Sequence, residues 1–315
     1  MSNRKKLLLL GGILLVLTIL YLMMGLNSRN WDYALSRRIP KTFAILLTGS
    51  VIGFSSLMFQ TITNNRILTP SILGLDALYM FVQTIIVFVL GARTLEVING
   101  TYNFILSILV MMFFSAILYK LLFRKEKQSI YFLLLIGMIF STFFQSIASF
   151  MQMLIDPNEF AIVQNRMFAS FNSVNTGLLN ISGVIFVVLA VYTYPYLKKM
   201  DGLSLGRDHA INLGIDYDKV VKRMLVVIVI MVAVATALVG PITFLGLLVV
   251  NLARELLDTY KHKYLIVGSM LLSGIALVGG QLLAERIFNY HTPLSVIINL
   301  VGGIYFIYLL LKGRK

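Results

Sequence analysis

The chain has 315 residues, of which 58% are hydrophobic and 13% charged, and its formal net charge at pH 7 is +14. Soluble domains usually carry about 25% charged residues, so the composition indicates an integral membrane protein. The net positive charge does not indicate nucleic-acid binding, because the basic residues lie in short segments between apolar runs, as the positive-inside rule describes. The absence of cysteine excludes disulfides, thiolate metal sites and cysteine nucleophiles.

In chain order, the predicted elements are apolar runs close to the 20 or so residues that a transmembrane helix needs. The runs cover residues 7–26, 42–62, 71–90, 102–123, 130–155, 177–197, 224–253, 264–288 and 293–311. The first run follows the basic segment "MSNRKK" and lacks a small-residue cleavage site. We therefore expect a retained helix rather than a signal peptide.

The run 224–253 is long enough for one long helix or for two helices that turn at Gly240 and Pro241. With a cytoplasmic N-terminus, two helices place 20 of the 27 Lys and Arg residues on the cytoplasmic side, whereas one helix places 15 there. The positive-inside rule therefore favours two helices, and Pro241 also removes a backbone donor. We predict an all-α polytopic membrane protein that forms a single domain over residues 1–315, with ten transmembrane helices and both termini in the cytoplasm.

Asp76 is the clearest charge inside a predicted span, where a charge costs at least about 3 kcal/mol. It could be a coupling-ion site or a helix-entry carboxylate paired with Arg66. We favour the second interpretation, because a proton relay normally needs a chain of such groups. His209, His262 and His291 have no metal-binding spacing, and there is no Walker A pattern. We therefore expect no catalytic residue, metal site or cofactor in this chain.

Polar and small side chains mark two faces inside the spans. Gly49 and Gly53 form a GxxxG pattern, which predicts close helix packing. A polar stripe follows one face of the fifth span. The stripe consists of Ser141, Gln145, Ser149 and Gln152. It could line a translocation pathway for a polar substrate or make hydrogen bonds between helices, and the sequence leaves both open.

Five segments, in order and at fitting spacings, resemble the permeases of iron-siderophore, haem and cobalamin ABC importers, the FecCD-type family. They are "RRIPK" (37–41), "QTITNNRILTPSILGLD" (60–76), "LGRDHAINLGI" (205–215), "GPITFLGLLVVNLAR" (240–254) and "TPLSVIINLVGGIYFIYLLLK" (292–312). The resemblance implies ten helices per subunit and a multi-pass location in a bacterial cytoplasmic membrane. It also implies a ferric siderophore as the cargo, with haem or cobalamin as the alternative within the same family.

The resemblance further implies a set of partners. Two permease subunits, identical or paralogous, would form the pathway in the bilayer, an extracytoplasmic binding (lipo)protein would deliver the cargo, and a cytoplasmic ATPase dimer would bind ATP and Mg. Residues 198–223 are then identified as the cytoplasmic coupling loop that docks on the ATPase. Its predicted contact residues are Gly206, Arg207, Asp208, His209, Ala210, Asn212, Leu213 and Gly214.

By the same resemblance, basic residues of the outer face would dock the binding protein. These are Arg37, Arg38, Lys41 and Arg286. The alternative is that they are interfacial anchors.

Two other classes of protein remain to be weighed. An ion-coupled secondary transporter would show buried carboxylates and internal repeats, and an intramembrane enzyme would show paired acids, a zinc site or a Ser-Lys pair. The sequence shows only Asp76 for the first and nothing for the second.

Overall fold

The computed structural model describes residues 2–25, 31–91, 100–122, 130–172, 174–289 and 291–312, and across these ranges it is helical without strands. The helices are α1 Asn3–Met23, α2 Trp31–Ile62, α3 Leu75–Leu90, α4 Gly100–Leu122, α5 Ile130–Leu154, α6 Pro157–Met167, α7 Thr176–Thr193, α8 Leu197–Leu203, α9 Arg207–Asn212, α10 Tyr217–Val239, α11 Leu245–Leu257, α12 His262–Arg286 and α13 Leu294–Lys312. Short 3-10 turns cover Pro70–Leu73 and Tyr194–Tyr196. Leu26 and Phe123, where two predicted spans end, lie outside the described residues.

Most of these helices are apolar enough to lie in a bilayer. In the described part of the chain, seven are long and apolar enough to cross a membrane, and α3 and α13 are shorter apolar helices. The run 224–253 is divided, as predicted: α10 ends at Val239, Gly240 has φ +98°, and α11 begins at Leu245. The positive φ is open to glycine and strained for other residues, so Gly240 and Pro241 together end the helix.

The centre of the fold is the contact between α2 and α12, and the predicted packing role of the GxxxG pattern is confirmed there. A methyl group added at Gly53 would lie 2.7 Å from Ser273 Oγ and 2.8 Å from the carbonyl oxygen of Ser269. One added at Gly49 would lie 3.2 Å from the Ser273 side chain. Small residues on both helices therefore let the two backbones approach closely, which supplies the dispersion contacts that hold helices together in lipid.

The predicted third span, 71–90, is not one helix. A 3-10 turn at Pro70–Leu73 precedes α3, and Gly74 joins them with φ +81°. This turn packs on α5, where a methyl group added at Gly137 would lie 2.9 Å from the Ile72 carbonyl oxygen. The prediction failed because the apolar run continues through the turn, whereas the Pro70 and Gly74 backbone preferences break the helix. As a result, Asp76 lies in the first turn of α3.

Two features were not predicted. α6 is a short helix with Pro157 at its start, and Asp156 caps it by accepting a 2.9 Å hydrogen bond from Asn158 N. It packs its buried residue Val163 in a cluster with residues of α3. α2 begins at Trp31, well before the apolar run, and contains Pro40. The basic segment 37–41 is therefore helical.

Candidate functional site

The polar segment between α7 and α10 forms two short helices, α8, which buries Met200 and Leu203, and α9, which is mostly exposed. Gly206, with φ +99°, links them, and Gly214, with φ +75°, follows α9. The predicted contact residues Arg207, Asp208, His209, Asn212 and Leu213 are exposed, and Leu213 is 62% exposed. Ala210 is fully buried and anchors α9. Leu205 and Ile211 are also exposed, so this segment presents several large apolar side chains, as surfaces that bind proteins do.

The ends of this segment are fixed by polar contacts of its own. Asp216 caps α10 by accepting a 3.2 Å hydrogen bond from Lys219 N. Arg207 Nη2 lies 3.5 Å from Asp218 Oδ2 across the turn. Both side chains of that pair are about half exposed, so the ion pair contributes about 1 kcal/mol or less. These contacts join α9 to the start of α10 and leave most side chains of α9 accessible.

A buried hydrogen-bond chain links α8 to the transmembrane helices. Asp201 Oδ1, on α8, lies 2.6 Å from His262 Nδ1 and also accepts a 2.7 Å hydrogen bond from the His262 backbone N–H. On the other side of the ring, His262 Nε2 lies 2.8 Å from Thr61 Oγ1 near the end of α2. The His262 side chain is 2% exposed. These contacts connect α8 directly to the end of α2 and the start of α12.

The hydrogen bonds from His262 favour the ionised form of the Asp201 carboxylate. Partial burial by itself raises the pKa of Asp201, but the hydrogen bonds from the His262 side chain and backbone outweigh burial and hold that pKa below its ordinary value. Sequence reasoning missed this link, because His262 and Asp201 are 61 positions apart and match no motif. Four aspartates lie in the segment 198–223, and nothing in the sequence singles out Asp201 as the partner of His262.

The polar stripe on α5 divides into two parts. Gln152 is half-buried and donates a 3.1 Å hydrogen bond from Nε2 to Thr84 Oγ1 on α3. Gln145 and Ser149 are exposed, and Ser141 is half-buried against the turn at Gly74. The interhelical role therefore describes Gln152, whereas Gln145 and Ser149 face away from the subunit.

Asp76 lines a small cavity together with Ser56, Ser71 and Thr236. Its carboxylate accepts a hydrogen bond from Ser71. Its Oδ2 atom is buried and has no hydrogen-bond partner among the described residues. The predicted pairing with Arg66 is wrong, since no ion pair joins the two residues and Arg66 lines a different cavity. The turn at Pro70–Leu73 separates them.

Lys41 is not the exposed cation that the sequence predicted. Its Nζ lies 2.6 Å from Glu285 Oε1, and the two side chains are 11% and 7% exposed. Glu285 also accepts a 2.9 Å hydrogen bond from Tyr21 Oη and a 3.1 Å hydrogen bond from Gln281 Nε2. Because α2 and α12 pack closely, this lysine pairs within the subunit, and a docking role for it is not supported.

The remaining predicted docking residues surround the end of α1. Arg38 Nη1 donates to three carbonyl oxygens there, including a 2.7 Å bond to Met24 O. Arg286 Nη2 donates to the same oxygen at 2.5 Å. Cations at a helix C-terminus satisfy orphan carbonyls and complement the helix dipole. Arg37 is exposed, with its guanidinium 5.0 Å from the Tyr33 ring centroid.

A large polar cavity opens beside α8, at the ends of α2, α11 and α13. Its volume is about 830 Å³. Gln60 and Asn251 are buried in its wall, and Arg66 and Arg254 line it. Asn251 Nδ2 donates 2.9 Å hydrogen bonds to Arg66 O and Leu247 O, which holds the segment after α2 against α11. The sequence placed Gln60 and Arg254 in family-like motifs without assigning them a role.

Comparison with known families accounts for this combination of an exposed helical loop and a bundle of apolar helices. The model of the FecCD transport family matches residues 7–312. The chain belongs to the FecCD transport family. As a FecCD chain, it is a membrane-embedded permease subunit of a bacterial ABC importer and not an enzyme, and it lies in the cytoplasmic membrane as a multi-pass protein.

Several curated relatives cover this FecCD chain. The petrobactin import system permease protein YclO of Bacillus subtilis is 60% identical over 315 residues, which are 100% of this chain and 99% of the relative. The petrobactin import system permease protein FatC of Bacillus anthracis is 35% identical, covering 92% of this chain and 82% of the relative. The iron(3+)-hydroxamate permease FhuG of Bacillus subtilis is 26% identical, covering 88% and 83%.

Solved structures share the fold of this FecCD chain. An inward-facing metal-chelate type ABC transporter superposes with a TM-score of 0.85 and 24% identity, covering 99% of this chain and 100% of that chain. PsaBC from Streptococcus pneumoniae matches more distantly, with a TM-score of 0.55 and 13% identity, covering 87% and 90%. At these identities the likeness concerns the fold alone. The predicted all-α polytopic architecture is confirmed at that level.

Proposed function

We propose that this permease carries a ferric siderophore across the cytoplasmic membrane, with ferric petrobactin as the first compound to test. The observation that carries the substrate class is 60% identity over the whole chain to a petrobactin import permease. The driving force comes from ATP and Mg bound by a partner ATPase dimer, and this chain binds no cofactor of its own. ATPase states then need only different affinities for two permease conformations.

The full membrane arrangement has ten crossings and cytoplasmic termini. The seven long helices, the shorter α3 and α13, and α11 between the break at Gly240 and the α8–α9 end of the molecule make ten. α6, α8 and α9 then lie outside the bilayer core. The charge distribution supports the orientation, since it puts 20 of 27 Lys and Arg on the cytoplasmic side. Residues 1–315 act as one transmembrane domain.

Residues 198–223 act as the coupling loop within this arrangement. α8 and α9 would dock on the ATPase through the exposed residues Arg207, Asp208, His209, Asn212 and Leu213. Gly206 and Gly214 allow the turns on either side, and the buried Ala210 holds α9 in place. The chain from Asp201 through His262 to Thr61 gives the docked loop a rigid connection to α2 and α12.

The translocation pathway lies between two permease subunits, identical or paralogous. Gln145 and Ser149 are exposed on α5 at a depth where polar groups facing lipid are unfavourable. Contact with a second subunit or with a water-filled pathway removes that cost. Ser141 and Gln152 flank them on the same helix face, Gln152 as a support through Thr84.

Arg37 is the main docking residue for an extracytoplasmic binding protein, since it is exposed and free of a backbone role. Arg38 and Arg286 each use one guanidinium nitrogen to bond carbonyl oxygens at the end of α1, and they contribute to docking through their other N–H groups. Rim charges of this kind act mainly on association rate and salt dependence. Lys41 is left out because it is buried against Glu285.

The proposal is tested by reconstituting the permease, its partner ATPase and the loaded binding protein in liposomes. We expect ATP-dependent accumulation of iron supplied as ferric petrobactin, and none of haem or cobalamin. Accumulation of haem or cobalamin without ferric petrobactin would contradict the substrate class. Accumulation driven by an ion gradient without the ATPase would instead support a secondary transporter.

A further inference from the structure

Two cations from distant parts of the chain meet at one tyrosine ring, at the start of α12. Arg4, in the first turn of α1, donates a hydrogen bond to the Tyr264 hydroxyl. Lys263 Nζ lies 4.9 Å from the centroid of the Tyr264 ring. The side chains of Arg4 and Lys263 are both exposed. The fold therefore holds two positive charges close together at the surface.

The packing of α1 on α12 and α11 fixes this arrangement. A methyl group added at Gly268 on α12 would lie 3.6 Å from Leu7 Cδ2 on α1, which is ordinary van der Waals contact. Lys6 Nζ donates a 2.7 Å hydrogen bond to Leu256 O in the last turn of α11. A lysine at this position satisfies a carbonyl oxygen that the helix leaves without a partner. Lys6 thus acts within the subunit and positions the start of α1.

The junction of α1 and α12 keeps a net positive charge after its carboxylates are counted. The first ten residues contain three cations and no carboxylate. The segment 255–264 contains two cations and two carboxylates, Glu255 and Asp258. In the described part of the chain, no ion pair joins either carboxylate to Arg4 or Lys263. The two segments together have a net charge of +3, which favours an anionic ligand.

An exposed apolar side chain follows each of the two cations along its helix. Leu8 lies four residues after Arg4 and is 76% exposed, and Val267 lies four residues after Lys263 and is 43% exposed. Residues at i and i+4 share one face of a helix. Apolar side chains on the exposed face of a membrane-spanning helix contact acyl chains, so the cations above them lie at the level of the phospholipid headgroups.

We propose that Arg4, Lys263 and the Tyr264 hydroxyl bind the phosphate of an anionic phospholipid, such as phosphatidylglycerol, with its acyl chains along Leu8 and Val267. The guanidinium N–H groups that Tyr264 does not use and the lysine ammonium donate hydrogen bonds to the phosphate oxygens. A zwitterionic headgroup carries a cation of its own, which these residues repel. The cytoplasmic leaflet follows from the orientation in the proposed function, whereas the site itself does not depend on transport.

A lipid in this position adds a link between two helices. Leu10 and Tyr21 are the buried residues of α1, which is described along its whole length. Few buried side chains therefore hold α1 to the rest of the subunit. A phosphate that bonds both Arg4 and Lys263 joins the start of α1 to the start of α12.

The test uses the purified full-length permease in a nonionic detergent, titrated with dioctanoyl phosphatidylglycerol or dioctanoyl phosphatidylcholine and followed by native mass spectrometry. We expect wild type to bind phosphatidylglycerol more tightly than phosphatidylcholine. The R4Q/K263Q double variant should bind phosphatidylglycerol about tenfold more weakly, because two cations that attract the anionic headgroup are lost. Binding of phosphatidylcholine should stay unchanged, and R4K/K263R should recover most of the binding of phosphatidylglycerol.

The control is R207Q/K219Q, which removes two exposed cations of the polar segment and changes the net charge by the same amount. Each of these cations has a carboxylate within 4.0 Å. This variant should bind both lipids as wild type does. If R4Q/K263Q does not fold, the single variant R4Q serves, since the Arg4 side chain is exposed.

Three results would overturn the site. They are equal binding of phosphatidylglycerol by wild type and R4Q/K263Q, an equal loss of binding in R207Q/K219Q, and displacement of the lipid by inorganic phosphate at equal concentration. The second would mean that net charge alone attracts the lipid, and the third would mean that the site binds any phosphate. Labelling of a cysteine at position 5 from outside the membrane would instead contradict the orientation, and the measurement in detergent does not depend on it.

Discussion

At the scale of single residues, burial determines whether a charge is available to a partner. Lys41 and Arg37 lie one helical turn apart in the same basic segment. The first is buried in an ion pair with Glu285, and the second is exposed over Tyr33. A buried ion pair is strongly destabilising to break, because one charge is left without compensation. The two residues should therefore respond differently to substitution.

Lys41→Met should lower the free energy of unfolding by about 3 kcal/mol, because Glu285 stays buried without its partner. Thermal unfolding in detergent measures this. The double variant K41M/E285M should regain much of the loss, since both charges are then absent. Arg37→Met is the control, with an expected change within about 0.5 kcal/mol. A Lys41→Met protein as stable as wild type would show that the pair has no structural role.

Asp201 makes a pH-dependent contribution to stability. Its pKa is lowered in the folded protein, because the hydrogen bonds from His262 outweigh the effect of partial burial. A carboxylate with a lowered folded pKa stabilises the protein above its unfolded pKa of about 3.9, and that contribution is lost as pH falls through the folded value. We expect wild type to exceed Asp201→Asn in stability by about 1 kcal/mol at pH 6.

The difference should shrink when thermal unfolding is measured below about pH 4. Asp216→Asn is the comparison. Asp216 is an exposed helix cap near the same loop and bonds Lys219 N rather than His262, so this variant shows the effect of losing a carboxylate outside the contact. If the Asp201→Asn difference persists unchanged at pH 3, the ionised carboxylate is not what stabilises the contact.

At the scale of elements, several helices pack one face against the rest of the subunit and expose the opposite face. α9 is anchored by Ala210 and exposes Asn212, with the exposed Leu213 directly after it, and α5 bonds α3 through Gln152 while it exposes Gln145. Periodicity identifies such faces, but the neighbours of each face depend on the packing of other helices. Substitutions on the two faces should therefore have separable effects.

Leu213→Asp should weaken association with the partner ATPase at least about tenfold while leaving stability nearly unchanged, because the side chain is 62% exposed. Co-purification and thermal unfolding measure the two effects. Leu256→Asp, at an exposed apolar position on α11 outside the loop, should leave association intact. Wild-type association of the Leu213→Asp protein would place the ATPase contact elsewhere.

Gln145→Leu should reduce the rate of siderophore transport several-fold without changing stability. The Gln145 side chain is exposed, and leucine is similar to it in size but lacks the polar amide. Gln152→Leu should lower stability by about 0.5 to 1 kcal/mol, because it removes the hydrogen bond to Thr84. Liposome uptake and thermal unfolding distinguish the two. Transport at the wild-type rate by Gln145→Leu would remove this residue from the pathway.

At the scale of the whole molecule, the number of crossings depends on how the segment around Gly240 is arranged. α10 and α11 are separate helices, and α11 has 13 residues. It is shorter than a full span of about 20 residues. In the proposed arrangement it completes a crossing together with the break after α10, which packs against Ala169 at Gly240 and lies beside Ile52 and Ser56 of α2.

The absence of cysteine makes the topology directly testable with single cysteine variants and a membrane-impermeant maleimide. Lys5→Cys, Arg207→Cys and Lys261→Cys should be labelled only from the cytoplasmic side. Arg37→Cys and Asn158→Cys should be labelled only from outside. Lys261 decides the count, because labelling from outside would mean that residues 217–257 cross the membrane once rather than twice.

The sequence by itself determined the membrane class, the positions of most apolar helices, the break at Gly240 and the GxxxG contact. These follow from local properties, namely the length of apolar runs, the backbone limits of proline and glycine, and the small size of residues on one helix face. The exposed loop with Gly206 and Gly214 was also predictable, because polar residues interrupt an apolar chain there.

Only the tertiary structure decided which polar groups meet. Lys41 pairs with Glu285, His262 joins Asp201 to Thr61, and Gln60, Arg66 and Arg254 share one cavity although α2 and α11 are far apart in sequence. Side-chain burial and ion pairing depend on distances between helices, and those distances arise from the packing of all the helices together. A sequence pattern describes one helix at a time, so it cannot supply them.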